Sequence, residues 1–222
     1  MTGASTSKPT LATMWLDGCS GCHMSLLDMD ERLIEIASRL EVVASPYVDT
    51  KELPTTIDVA IVEGAVSSEE DWHKVRDLRR RTRFLIALGD CAVTGNVPAM
   101  RNGFAIEDLM RRAYVETADH AMWPAQERAA SEPDSRGAAP SEPDSRDPVP
   151  SGPNPSGQGA VSWYPRTQVP PLRPRSCPVH EVVEVDLHVP GCPPPADAIY
   201  FVLTELLEGR RPDVSRVTRF GR

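Results

Sequence analysis

The sequence predicts an α/β fold: a doubly wound, mostly parallel sheet with helices on both faces. Three observations predict it. Short β-forming apolar runs alternate along the chain with stretches of helical period. The clearest of these runs, Ile57–Glu63 and Arg83–Leu88, each end on a glycine, Gly64 and Gly89. Continuous rather than alternating apolar character in Arg83–Leu88 marks a strand buried on both faces.

The elements follow in order. Leu11–Met24 reads L-A-T-M-W-L-D-G-C-S-G-C-H-M: an apolar strand, a break at Asp17-Gly18, two cysteines, then a helix start. Over His23–Glu41, Leu26, Met29, Leu33, Ile36, Ala37 and Leu40 recur at helical spacing, which predicts one amphipathic helix. Glu41–Tyr47 is read as a short strand stopped by Pro46, and Ile57–Glu63 as a stronger one. Ser67 or Ser68 caps the next helix, with Glu69, Glu70 and Asp71 in its first turn and Arg79, Arg80 and Arg81 in its last. Charges so placed oppose the helix dipole at both ends. After Arg83–Leu88, a further helix is expected across Phe104–Glu116. Glu181–Val189 alternates apolar and polar residues, as a strand exposed on one face does. Ala196–Glu208 carries Ile199, Val202, Leu203, Leu206 and Leu207 on one side, with Gly209 as C-cap.

Between Trp123 and Ala160 the character changes. Ser-Glu-Pro-Asp-Ser-Arg occurs at 131–136 and again at 141–146, prolines recur, and large apolar residues almost vanish. Such a stretch cannot bury enough surface to offset its ordering entropy, so a disordered insertion over 124–160 is expected. The expected organisation is a flexible N-terminal tail over 1–10 and a single domain over 11–222, interrupted by that insertion.

Composition narrows the function. A net charge of −8 disfavours nucleic acid, whose phosphates call for a basic surface. No run approaches the roughly 20 apolar residues of a membrane span. The short polar N-terminus shows no export signal, so a cytoplasmic location is expected. In that setting five cysteines favour metal or redox chemistry over a disulfide scaffold.

Cys19, Cys91 and Cys192 each follow within three residues of an expected strand end, and each is preceded closely by glycine. Open parallel sheets collect ligands at the carboxyl ends of their strands. Three strand ends would therefore bring Cys19, Cys22, Cys91 and Cys192 to one edge. Four thiolates on glycine-rich loops match the needs of a cubane iron–sulfur cluster. Cys177, in a proline-rich stretch away from an expected strand end, is read as a non-ligand. A structural zinc site normally pairs two short C-x-x-C or H-x-x-H spacings, whereas here the second pair is widely split. That disfavours zinc but leaves it open. A thioredoxin-type disulfide would leave Cys91 and Cys192 unexplained. His23 is read as a helix-start residue able to donate a hydrogen bond to cluster sulfur. Glu63, at a strand end on the same edge, is a candidate proton relay or, as favoured here, a cap for the adjoining loop. Asp17 either tunes the cluster or forms its turn.

Four segments carry a family resemblance: W-L-D-G-C-S-G-C-H-M-S-L-L-D-M-D-E (15–31), V-E-G-A-V (62–66), G-D-C-A-V-T-G-N-V-P-A-M-R-N (89–102) and P-V-H-E-V-V-E-V-D-L-H-V-P-G-C-P-P-P-A-D-A-I (178–199). Together they resemble the small subunit of nickel–iron hydrogenases, above all the short cytoplasmic form of bidirectional, NAD-linked enzymes. The resemblance implies a flavodoxin-like domain holding one 4Fe–4S cluster on Cys19, Cys22, Cys91 and Cys192. It implies a large subunit carrying the nickel–iron centre, and diaphorase subunits carrying flavin and NAD. Electrons would then pass through this chain, while hydrogen is activated elsewhere. Longer relatives add two clusters for which this chain lacks cysteines. The 124–160 insertion and Cys177 depart from the motif. Two rival readings are a quinone-reductase-type subunit of a respiratory complex and a zinc-stabilised interaction domain. The first characteristically has two adjacent cysteines in its first loop, and Cys19 and Cys22 are not adjacent. The absence of a G-x-G-x-x-G fingerprint fits a chain that passes electrons to another subunit's nicotinamide.

Overall fold

Seven strands are present in the computed structural model, which describes residues 8–50, 52–116 and 169–218. In chain order they are β1 (Thr10–Trp15), β2 (Glu41–Ala44), β3 (Ile57–Glu63), β4 (Val66–Ser68), β5 (Thr82–Leu88), β6 (Leu172–Cys177) and β7 (Leu187–Val189). Five of them form one sheet in the order β2-β1-β3-β5-β7, with every pairing parallel. Counting only those strands, this is the 2-1-3-4-5 order of doubly wound flavodoxin-like folds, whose switch point lies between β1 and β3. The expected fold class is therefore the observed one.

Period-two alternation along the strands builds two cores. Leu11, Ile61, Ile86, Leu88, Leu187 and Val189 face one side, where they meet helices α1 (Gly21–Leu27) and α2 (Arg32–Arg39) and the late helix Ala196–Leu207. Ala12, Ala60, Val62, Leu85 and Ala87 face the other, against Val75 and Leu78 of α3 (Glu69–Arg81) and Ala92 of α4 (Gly89–Thr94). Helices as short as α1 and α2 are marginal alone in water, so their buried faces hold them. Each fully buried Leu or Ile contributes roughly 1.5–3 kcal/mol.

Helix α3 matches its sequence signals. Ser68 accepts from the Asp71 backbone N–H while the Asp71 carboxylate accepts from the Ser68 N–H, a complete capping box. Three other expectations change. The single helix over His23–Glu41 is two, because Asp30 takes a left-handed conformation (φ 51°) that folds the chain back between α1 and α2. The strand expected over Glu181–Val189 begins only at Leu187, after a 3-10 turn at Val179–Glu181. Val182, Val183 and Val185 pack on the second core from irregular backbone, so their alternation reflects that packing. Cys177 does end a strand, β6, which pairs antiparallel with β4 in a small sheet that the sequence did not reveal. Side chains pin this sheet: Arg101 donates to the Ser67 and Arg173 carbonyls, and Asn102 exchanges two hydrogen bonds with the Ser176 backbone.

The remaining helices of the first compact unit are α5 (Asn96–Ala99) and the helix already named at Ala196–Leu207. A second unit spans Ile106–Val169 and holds α6 (Ile106–Arg111), followed by a π-helical turn over Arg112–Glu116. The helix at Ala196–Leu207 is numbered α7. The expected 124–160 insertion lies outside the described residues, as does 1–7 of the expected tail. Among the described residues no helix is long and apolar enough to cross a membrane.

At the end of the sheet opposite the cysteines, Asp58 ties three strands. It accepts from the Thr10 N–H (2.9 Å) and hydroxyl (3.0 Å) and from Arg83 (3.0 Å). The Thr10 backbone N–H first, then the Thr10 hydroxyl and Arg83, hold its carboxyl below the usual value against partial burial. A lowered folded-state pKa means the ionised form stabilises the fold fully above the unfolded value of about 3.9. That contribution is lost as pH falls through the lower folded value. The stability difference between wild type and Asp58→Asn, from urea midpoints, is therefore expected to be flat from pH 7 to about 5 and to shrink below about 4.

Candidate metal centre

Past the carboxyl end of β1 the chain stays zipped to the chain past β3. The Leu16 N–H donates to the Glu63 carbonyl (2.9 Å), and Asp17 and Ala65 exchange hydrogen bonds of 3.0 and 2.7 Å. Gly64 makes the approach possible: at φ +87°, a Cβ there would stand 2.7 Å from the Leu16 carbonyl carbon. Cys19 follows this crossing, and Cys22 lies in the first turn of α1. On the far side of β3, β5 gives way to Gly89 and then to Cys91 in the first turn of α4. β7 ends at Val189, three residues before Cys192. Asp90 joins these two loops reciprocally: its N–H donates to the Gly191 carbonyl (2.8 Å), and its carboxylate accepts from the Gly191 N–H (2.7 Å).

The four cysteines chosen from the sequence are brought to one edge as free thiols. Cys22 is pushed far above its usual pKa by burial first, then by the Glu63 carboxylate and by Cys91, Cys19 and Cys192. Cys91 is raised by burial and then by Cys192 and Cys19, with an Asn96 hydrogen bond acting the other way. The Asn96 Nδ2 donates to the Cys192 Sγ at 3.5 Å. Cys177 is elsewhere: its thiol is raised by burial and Glu181, and its Sγ donates to the Val66 carbonyl at 3.8 Å. Among the described residues no three His, Cys, Asp or Glu side chains are drawn together around a point where one metal ion would sit.

Glu63 and His23 are both buried, with 3% and 1% of their surface exposed. The Glu63 Oε2 accepts from the His23 backbone N–H at 2.6 Å, capping α1 where the Ser20 side chain makes no cap. The imidazole Nδ1 is 2.8 Å from the same oxygen. Its alignment is not that of a hydrogen bond, and neither ring nitrogen has a hydrogen-bond partner in the structure. The His23 ring packs edge-on against Trp15 (5.5 Å) and Tyr47 (5.7 Å).

The residues present suit a multi-iron cluster. The donor set is four thiols, which repel one another as thiolates and need a cationic centre to ionise together. Glycine opens room beside them: a Cβ on Gly89 would fall 2.1 Å from the Cys22 Sγ. Sequence reasoning missed Asp90 and Asn96. Both stand inside the G-D-C-A-V-T-G-N stretch, but nothing local shows that their side chains reach a loop about a hundred residues later.

A doubly wound parallel sheet with thiols gathered past the carboxyl ends of β1, β5 and β7 defines the class of domain. The chain matches the family of the NADH ubiquinone oxidoreductase 20 Kd subunit over residues 19–206. It is 35% identical to the NAD-reducing hydrogenase HoxS subunit delta of Cupriavidus necator, over 96% of this chain and 86% of that one. It is 31% identical to a subunit of the F420-non-reducing hydrogenase vhu of Methanocaldococcus jannaschii, over 89% of this chain and 55% of that one. This chain thus spans little more than half of that relative's length. Among solved structures, a chain of an NAD+-reducing [NiFe]-hydrogenase in the H2-reduced state superposes with a TM-score of 0.74. The two share 32% identity, with 96% of this chain and 99% of that one covered. The chain belongs to the NADH ubiquinone oxidoreductase 20 Kd subunit family, and within it to the small subunits of [NiFe] hydrogenases.

Proposed function

We propose that this chain is the electron-transfer subunit of an NAD-linked nickel–iron hydrogenase. In this reading it holds one 4Fe–4S cluster on Cys19, Cys22, Cys91 and Cys192. The observation that carries the reading is the convergence of these four free thiols on the carboxyl edge of the sheet. A cluster bound there supplies reversible one-electron transfer. The likeness to a subunit named for NAD-reducing hydrogenase supports a large subunit with the nickel–iron centre on one side and a flavin-bearing, NAD-reducing module on the other. The chain's own part is to hold and bury. Glu63 fixes the turn that carries Cys22, and Asp90 fixes the spacing of the Cys91 and Cys192 loops. The buried His23 ring packs beside that turn, edge-on against the more exposed Trp15 and Tyr47.

The complex purified anaerobically from its native cell is expected to carry nickel in a co-purifying large subunit. Cys192→Ala is expected to lose about four irons and four sulfides per complex relative to wild type, and Cys177→Ala to lose none. Zinc bound at these cysteines in place of iron would overturn the reading. The family description also admits a quinone-reducing respiratory subunit. A nickel-free complex that reduces quinone would favour that rival.

A further inference from the structure

Asn96 stands at an unusual place in the backbone. Gly95 (φ 86°) and Asn96 (φ 37°) are successive left-handed residues that stop α4 and start α5. The Gly95 N–H closes α4 on the Cys91 carbonyl at 3.0 Å, so the turn is fixed to the residue carrying the Cys91 thiol. Asparagine is among the few L residues that adopt this conformation at modest strain. The turn aims the Asn96 amide at the sulfur edge, with Nδ2 3.5 Å from the Cys192 Sγ.

We infer that Asn96 is a positioning residue for the centre, its amide donating an N–H···S hydrogen bond to the Cys192 sulfur and thereby raising the reduction potential. The inference rests on the cluster reading above. Donation to a ligand sulfur withdraws electron density and stabilises the reduced, more negative state, which moves the potential up. The interaction reaches from the α4–α5 turn to Cys192, on a loop about a hundred residues later. It therefore joins the α4 turn to the β7 loop at sulfur, alongside the Asp90–Gly191 link between their backbones.

A purely structural role predicts a different result, because glycine keeps the left-handed turn at no strain. The test uses Asn96→Gly, which removes the amide, and Asn96→Asp, which keeps the shape but replaces the N–H donor with a charged acceptor. Both are made in the complete complex, and the relevant EPR signal is assigned by its loss in Cys192→Ala. The expected result is unchanged iron and sulfide in Asn96→Gly, a potential shifted negative, and loss of one exchangeable-proton coupling in ENDOR. Asn96→Asp is expected to shift further in the same direction. A full cluster in Asn96→Gly with wild-type potential and retained coupling would overturn the inference. Should either variant lose iron, the wild-type complex labelled with 15N-asparagine decides: a 15N coupling to the cluster supports the bond, and its absence overturns it. A wild-type complex without a four-iron signal overturns the cluster reading and this inference with it.

Discussion

Gly89→Ala is expected to leave the chain largely without iron although no ligand changes. Gly89 sits at φ +83°, a conformation that an L residue adopts at a cost of about 1–2 kcal/mol. The larger effect is steric. The added methyl would lie 2.1 Å from the Cys22 Sγ, 3.6 Å from its Cβ and 3.4 Å from the Gly191 carbonyl oxygen. A flexible side chain can normally swing away from such a clash. Here it cannot do so and remain in the thiol set, because Cys22 is fixed in the first turn of α1. The opposing loop is held just as firmly by the two Asp90–Gly191 hydrogen bonds. The expected result is iron and sulfide well below wild type, with a modest fall in the urea midpoint. Gly103→Ala provides the control: a Cβ there meets nothing within 4 Å, and a full cluster is expected. Gly89→Ala with wild-type iron content would show that the Cys22 thiol does not face the β5 loop as described.

That glycine shows how much of the site was legible in the sequence. Its position after a strand of buried type and two residues before Cys91 marks a sharp turn, and the same logic found Cys19 and Cys192. Strand ends and glycines are local signals, and a parallel sheet turns them into spatial neighbours without further information. The capping box of α3 was legible for the same reason, since donor and acceptor lie three residues apart. What escaped were long-range contacts. Asp90 reads as an ordinary turn residue until β7 is placed beside β5, when its carboxylate meets the Gly191 N–H. Asn96 reads as a helix-stop residue until the Cys192 loop is in view. The β4–β6 pairing brings together segments about a hundred residues apart, and one of them carries a proline that argues against a strand. The break at Asp30 was hidden because Met29 and Leu33 keep the apolar period across it, both packing on the first core although Met29 lies in the turn after α1 and Leu33 in α2.

Glu63→Ala is expected to lower both stability and metal content, although Glu63 supplies no thiol to the site. The carboxylate leaves the end of β3 and accepts the His23 N–H, the third donor of a seven-residue helix whose own N-cap, Ser20, makes no side-chain bond. Removing it leaves a buried N–H unpaired, a penalty of about 1–3 kcal/mol. It also takes a negative charge from the positive end of α1. Because Cys22 lies one residue before His23, fraying of this turn reaches the thiol set. Lower iron content is therefore expected together with the lower urea midpoint. Glu63→Gln keeps an acceptor oxygen, so a smaller loss of stability and near-complete iron are expected. The pair also separates the two roles that the sequence left for this residue. A cap follows the acceptor oxygen and should be largely restored by glutamine. A proton relay needs a group that ionises, and glutamine would then abolish hydrogen turnover in a complex of undiminished stability and iron content. The 2.6 Å bond to the backbone favours the cap. Turnover by Glu63→Gln at a rate proportional to its iron content is the expected result, and collapse of turnover with the iron intact would assign the relay instead.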